Sequence, residues 1–274
     1  MIGQRPAIPR ISRVVLLGAL VAAALAVPNA ILVGRSLEVV LAGLPAVDWH
    51  HFVEASRRVT DGGLYDISAN YGYRYSPVLA YGFALLVPLG DLGWRLLHVV
   101  AALALPNWPM RIVALASWPF WFDVEAGNLM IFVLLAAAWA LQGNRFATVA
   151  FLALTIAIPR PLMLPIAVWL LWKRPEYRVP ALAIFSVHAV AVLATGWGPE
   201  WVATLQHSGN EILSPNNLGP SRIVGMAWLI IALPLAAFLT WRGRIGFASL
   251  LASPYWLPYY GLMPIVELGR RERR

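Results

Sequence analysis

Apolar runs of about 15 to 20 residues recur from one end of this chain to the other, and no other feature restricts its fold so severely. Wound as a helix at 1.5 Å per residue, such a run covers about 22 to 30 Å, close to the roughly 30 Å hydrocarbon core of a bilayer. Membrane barrel strands would instead alternate apolar and polar residues over about ten positions. With 60% hydrophobic and only 12% charged residues, 274 residues supply too little polar surface to coat a soluble globule. The reading is all-α: a polytopic transmembrane helical bundle forming a single integral-membrane domain over residues 1–274. The runs lie at 14–34, 76–90, 92–105, 110–122, 127–141, 145–159, 161–172, 179–196, 222–241 and 245–266, which gives eight to ten segments. Several are short, and Pro88, Pro106, Pro109, Pro159, Pro161, Pro254 and Pro258 interrupt the hydrogen-bond ladder, so some segments are expected to be kinked or re-entrant.

The net charge of +8 points in a soluble protein to nucleic acid. Here the cations cluster beside apolar runs, where they set orientation instead. Arg5, Arg10 and Arg13, the KRPEYR stretch at 173–178, RGR at 242–244 and RRERR at 270–274 belong on the cytoplasmic side, which places 35–75 and 197–221 outside. Strict alternation from residue 76 to KRPEYR then ends on the wrong side, so one segment there does not cross; the Pro-broken stretch 92–122 is the expected place. The N-terminal arginines followed by VVLLGALVAAALAVPNA also fit a cleavable signal peptide, but the run continues through ILVG to about 21 residues, which favours a retained first span. There is no cysteine, hence no disulfide, thiolate metal site or Cys nucleophile, and the five histidines lack paired ligand spacing. No metal, cofactor or nucleic-acid partner is expected.

Polar chemistry concentrates in the two outer loops. The stretch VDWHHFVEASRRVTDGGLYD, residues 47–66, predicts a helix from Asp48 with Asp48, His51, Phe52, Ala55 and Val59 on one face. A partly desolvated carboxylate at the start of a helix can accept a proton from a substrate hydroxyl, and Asp in that place also reads as a plain N-cap. Glu54 and Arg58 are spaced for an ion pair, and Gly62–Gly63 supply the stop. Tyr65, Tyr71, Tyr73 and Tyr75 follow in the same loop, each readable as an interfacial anchor and together as a surface on which sugars stack.

The order Asp48, amphipathic helix, Gly63-Leu64-Tyr65-Asp66, then Tyr73-Arg74-Tyr75-Ser76-Pro77 before an apolar run ending Val87-Pro88-Leu89, resembles the polyprenyl-phosphate-mannose-dependent alpha-mannosyltransferase-like family of the GT-C superfamily. Further likenesses keep their order: Gly127-Asn128 opening an apolar run, Ile158-Pro159-Arg160-Pro161 between two runs, Asn216-Asn217 before Arg222, and Ser253-Pro254-Tyr255-Trp256. Three departures stand out. Asn128 replaces the family's Gln, Arg160 its Lys, and Leu257, Pro258 and Tyr259 occupy the place of a late His. The chain is also shorter than the family's members.

The resemblance implies a multi-pass protein of the cell membrane with an extracytoplasmic catalytic face. It would move a hexose, mannose by family precedent, with inversion from a polyprenyl-phosphate donor to a glycolipid or glycan hydroxyl. Asp48 would be the general base. Arg160, Arg74 and Arg222 would bind the donor phosphate, since guanidinium can grip phosphate through two hydrogen bonds. His51, Tyr65, Tyr73, Tyr75, Asn128, Asn217 and Trp256 would contact sugar or acceptor. Asp123 and Glu125 line that cavity or form an ordinary turn, and His207 is either a replacement for the late His or a solvated loop residue. Two other readings are an inactive relative that binds polyprenyl lipid and a small transporter whose Arg160 meets an anionic solute; a transporter calls for related halves, which the sequence does not display.

Overall fold

The computed structural model describes residues 13–66, 73–206, 212 and 214–269, with side-chain surroundings from residue 24 onward. The described residues are helical with no strand. In chain order the α-helices are α1 (Arg13–Leu41), α2 (Val47–Asp61), α3 (Pro77–Ala84), α4 (Gly90–Leu103), α5 (Trp108–Ala116), α6 (Trp118–Ala126) and α7 (Met130–Leu141). Then follow α8 (Arg145–Ala157), α9 (Leu164–Lys173), α10 (Arg178–Thr195), α11 (Gly198–Gln206), α12 (Ser221–Val224), α13 (Trp228–Trp241) and α14 (Ile245–Ala252). A buried 3₁₀ run, Pro258–Gly269, completes the order.

Among the described residues three helical stretches, Ala24–Leu41, Pro175–Thr195 and Ser221–Trp241, are long and apolar enough to cross a membrane. A fourth is the pair Pro77–Ala84 and Val87–Leu103, bent by 45°, if it counts as one span. The chain buries little of the first three: Ile31, Leu182, Phe185, Ile230 and Ile231 all stand exposed. Such surfaces would be untenable in water, and they point to a membrane protein.

The other helices assemble into a bundle with two distinct ends. At one, Trp139 Nε1 donates to the Ala104 carbonyl at 2.9 Å, Arg174 to the carbonyls of Ala140 and Leu141, and Asn107 Nδ2 to that of Leu268 at 3.2 Å. This is the arginine end. At the other, Gly127 lies against Ala46 and Trp49, and the Ser76 amide donates to the Ala157 carbonyl at 2.9 Å. This is the aspartate end, where Asp48 lies.

Long-range polar contacts explain why several apolar runs appear as short pieces. Helices α5 and α6 are separated by a break at Ser117, whose backbone is extended, and the amide of Asn29 on α1 spans the break. Its Nδ2 donates to the Ala116 carbonyl at 2.9 Å and its Oδ1 accepts the Trp118 amide at 2.8 Å, satisfying groups that the break releases. One level on, Ser36 donates to Glu125 Oε2 at 2.6 Å, so α1 and α6 run in the same direction. In the stretch 92–122, which the sequence reading offered for the segment that does not cross, α4 leads from the aspartate end to the arginine end and α5 with α6 leads back. The short piece is α3, which packs on α2 and leads through the bend into α4. In the final run, Gly246 lets α14 approach Pro258–Gly269 closely, because a Cβ there would stand 2.7 Å from the Met263 carbonyl oxygen.

Candidate active site

Helix α2 begins at Val47, one residue ahead of the predicted start, and buries Trp49, Phe52, Ala55, Ser56 and Val59. Phe52 stacks on Phe83 at 4.3 Å and Trp49 on Trp94 at 4.8 Å, fixing α2 to α3 and α4. Gly62 ends the helix with its amide on the Arg58 carbonyl at 2.9 Å, and Arg58 pairs with Glu54 at 2.7 Å, as the spacing predicts. Asp48 is not the N-cap. That position is Ala46, whose amide donates to Asp91 Oδ2 at 3.0 Å. Asp91 in turn pairs with buried Arg95 at 2.9 Å, and Arg95 reaches back to the Leu44 carbonyl at 2.6 Å. The capping duty is thus discharged elsewhere, and half-buried Asp48 receives a 2.5 Å hydrogen bond from Asn128 Nδ2 on its Oδ2.

Asn128 is held from several sides. Helix α6 stops at Gly127 in the left-handed region (φ +70°), where a Cβ would stand 2.9 Å from that of Trp49 and 3.0 Å from that of Ala46. Only glycine tolerates both constraints. Asp123, fully buried, neither lines a cavity nor faces water: its carboxylate accepts the amides of Met130 and Ile131 at the start of α7, at 3.3 and 2.9 Å. Its carbonyl accepts the amides of Gly127 and Asn128. His98 Nε2 faces the Asn128 carbonyl oxygen at 2.7 Å, and Trp94 Nε1 donates to the Gly127 carbonyl at 2.9 Å. Because Asn128 Oδ1 accepts the Leu129 amide at 2.7 Å, its Nδ2 is the atom turned to Asp48. Glu125 is occupied by Ser36.

Arg160 comes to the same end between Pro159 and Pro161, its backbone extended (φ −106°, ψ 126°) as a residue before proline prefers. Its guanidinium lies 5.5 Å from the Tyr75 ring and 5.8 Å from that of Tyr255, and it donates to the Tyr255 hydroxyl. Tyr75 also packs 5.6 Å from Phe52, one helical turn beyond Asp48. Buried Tyr259 packs 5.3 Å from Tyr260, which lies 6.0 Å from Tyr255. Four residues distant in sequence therefore share one site: Asp48, Asn128, Tyr75 and Arg160. The sequence reading named Tyr255 and Tyr259 without giving either a role in the site, and left Tyr260 out. Their signal was present in PYWLPYY, and Tyr259 falls in the place of the missing late His.

The remaining candidates are distributed more widely. Tyr65 and Tyr73 are buried and brace the loop that carries Tyr75, donating to the carbonyls of Tyr75 at 2.8 Å and Ser76 at 2.9 Å. Burial raises the pKa of both phenols, with Glu200 adding to the effect at Tyr65 and the neighbouring tyrosines at Tyr73, so both remain neutral donors. Asn217 is fully buried as an internal brace. Its Nδ2 donates to the Ile212 carbonyl and Ser221 Oγ, and its Oδ1 accepts the amides of Gly219 and Trp256. Trp256 is thereby anchored through its backbone, with its ring edge-on to Trp228 at 6.0 Å. Arg222 is exposed and donates to the Pro215 carbonyl at 3.3 Å, and the Arg74 carbonyl accepts Trp201 Nε1 at 3.3 Å. His51 lines a groove of about 610 Å³ with His50, Glu54, Arg57 and Asp91. Asp48 is absent from that lining, although Trp49 and His50 beside it belong to it. His207 and Tyr71 lie outside the described residues.

The chain was compared with family models, curated proteins and solved structures. None matches. The chemistry must therefore be read from the residues themselves. A half-buried carboxylate, oriented by an amide and set near a guanidinium on tyrosine faces, offers a proton acceptor and a stabiliser of negative charge in one place.

Proposed function

We propose that this chain is a GT-C-like membrane glycosyltransferase. It moves a hexose, mannose by resemblance, from a polyprenyl-phosphate donor to a hydroxyl of a lipid or glycan acceptor. The observation that carries the reading is the chain of contacts in which Asp48, held by Asn128, stands one helical turn from Phe52, Phe52 packs on Tyr75, and Tyr75 with Tyr255 holds Arg160. In the reaction Asp48 accepts the proton of the acceptor hydroxyl as that oxygen attacks the anomeric carbon. The bond from that carbon to the phosphate oxygen breaks on the opposite face, its electrons pass to the phosphate, and the configuration inverts. Arg160 offsets the charge gathering on the departing lipid phosphate. Tyr255 and Tyr75 orient that cation.

The aspartate end faces the outside of the cell membrane, and the arginine end, with KRPEYR and RGR, faces the cytoplasm. Treating 77–103 as one bent passage, and α5 with α6 as another, removes the parity conflict. Ten passages result, with both termini inside. The short inner helices are acceptable because neighbouring protein, not lipid, surrounds much of their backbone.

A direct test reconstitutes the native chain in liposomes with radiolabelled polyprenyl-phospho-mannose, the glucose analogue or a nucleotide sugar, plus candidate glycolipid acceptors. The proposal expects label to reach a glycolipid from a polyprenyl-phosphate donor and not from a nucleotide sugar. Tight retention of the donor without transfer to any acceptor would favour the inactive lipid-binding reading, and transfer from the nucleotide sugar alone would refute the donor class.

A further inference from the structure

Helix α2 turns its polar side to the groove of about 610 Å³, which is bounded across from it by the corner where α3 leads into α4. The charges lining this groove are not balanced. Glu54 is taken by Arg58 at 2.7 Å, and Asp91 by Arg95 at 2.9 Å and by the Ala46 amide at 3.0 Å. Arg57, exposed and part of the same lining, has no ion pair and no side-chain hydrogen bond among the described residues. His50 lies two helical turns before it on the same face, its Nε2 4.0 Å from Asp91 and its side chain mostly exposed. The groove therefore offers an uncommitted guanidinium and an accessible imidazole, while its carboxylates are engaged elsewhere. Charge complementarity calls for an anion, and a guanidinium can grip a phosphate through two hydrogen bonds.

The groove opens where polar and apolar surface meet. Leu85, Leu89 and Leu92 at the α3–α4 corner, and Leu44 and Val47 next to the bond between Ala46 and Asp91, are all exposed. Val53 and Val87 carry that apolar character into the groove itself. In a chain with helices apolar enough to cross a membrane, exposed leucines beside a stripe of His, Glu and Arg mark the level where acyl chains give way to headgroups. A neutral sugar would leave the guanidinium charge unmet, and a cationic ligand would be repelled by it. The spacing of His50 and Arg57, about 10 Å along the helix axis, suits a phosphate with a hydroxyl-bearing group attached better than a bare phosphate ion. We propose that this groove binds the headgroup of an anionic glycerophospholipid, its phosphate gripped by Arg57, its headgroup hydroxyls reaching His50 and its acyl chains lying over the exposed leucines. Seated there, the lipid braces α2 against the corner of α3 and α4. Asp48 does not line the groove, so the lipid is bound beside the proposed reaction and not consumed by it, and the assignment does not depend on the glycosyltransferase reading.

The test is native mass spectrometry of the full chain, released from detergent micelles containing phosphatidylglycerol or phosphatidylcholine, paired with thermal unfolding in the same mixtures. The native chain should hold phosphatidylglycerol about tenfold more tightly than phosphatidylcholine and melt later in its presence. Arg57→Ala, at an exposed position with no partner to lose, should bind phosphatidylglycerol about tenfold more weakly and lose the later melting. Arg57→Lys keeps the charge without the planar fork and should recover only part of the affinity. Arg222→Ala, which removes another exposed cation, should bind as the native chain does. Equal retention of the two lipids by the native chain, or undiminished binding by Arg57→Ala, would overturn the assignment. Full recovery by Arg57→Lys would also overturn it, by reducing the effect to diffuse surface attraction. Displacement of the lipid by inorganic phosphate or glycerol phosphate as readily as by phosphatidylglycerol would do the same, since the ligand would then be a free anion.

Discussion

Arg160 at the aspartate end is held differently from the arginines at the arginine end. At the arginine end Arg111 donates to the Leu105 carbonyl, Arg174 to those of Ala140 and Leu141, and Arg178 to that of Leu171, all near C-terminal turns of helices. Cations there complement the helix dipole and satisfy carbonyls the helix leaves open, which is structural work. At the aspartate end Arg160 is seated on the rings of Tyr75 and Tyr255, and Tyr75 packs on Phe52, one helical turn from Asp48. Backbone carbonyls hold the first set, as the Leu44 carbonyl also holds Arg95 at the aspartate end, whereas Arg160 rests on tyrosine rings and a phenol. The contrast separates arginines that fasten helix ends from the one that the proposed reaction uses.

If that separation is real, substitutions at the two ends should part in what they change. The largest effect belongs to Asp48→Asn, expected to lower the turnover of sugar transfer about 10²–10⁴-fold, the usual contribution of a general base. Its thermal unfolding in detergent should match the native chain, because an amide oxygen can still accept from Asn128. Next comes Arg160→Ala, with transfer reduced about 10²–10³-fold. Arg174→Ala should instead lower stability by about 1 kcal/mol and leave the rate per folded molecule unchanged. Loss of rate in both variants would erase the distinction between the ends. Gly127→Ala tests the scaffold: strain in the left-handed region plus overpacking against Trp49 and Ala46 should cost about 2–4 kcal/mol, read as an early melting transition. Smallest of all is Arg222→Ala. With its exposed side chain on the Pro215 carbonyl, stability should move by less than about 0.5 kcal/mol and transfer should persist.

The helical membrane class, the cations at the arginine end and the course of α2 were legible in the sequence because each follows from local pattern. Length, apolar runs and the spacing of Phe52, Ala55 and Val59 suffice for these. Where the apolar runs break was not legible, because the breaks are settled by distant residues: nothing near Ser117 announces that Asn29 bridges it. The same limit governs the site. Asp48, Tyr75, Asn128 and Arg160 could be named from the resemblance, but that Asn128 meets Asp48 depends on Gly127, Asp123 and His98, which no local spacing connects. Tyr65, Tyr73 and Asn217 have polar groups that suit ligands equally well, yet the fold uses those groups to hold its own loops. Asp91 illustrates the converse. It reads as an ordinary first-turn acid of α4, and it caps the helix that bears Asp48.

The role of Asp48 is tested most directly by replacing its carboxylate from solution. In liposomes supplied with polyprenyl-phospho-mannose and acceptor, Asp48→Ala should transfer little sugar, and added formate should restore transfer in proportion to its concentration while leaving Arg160→Ala unaffected. Transfer by Asp48→Ala at the native rate, with no formate present, would contradict the account.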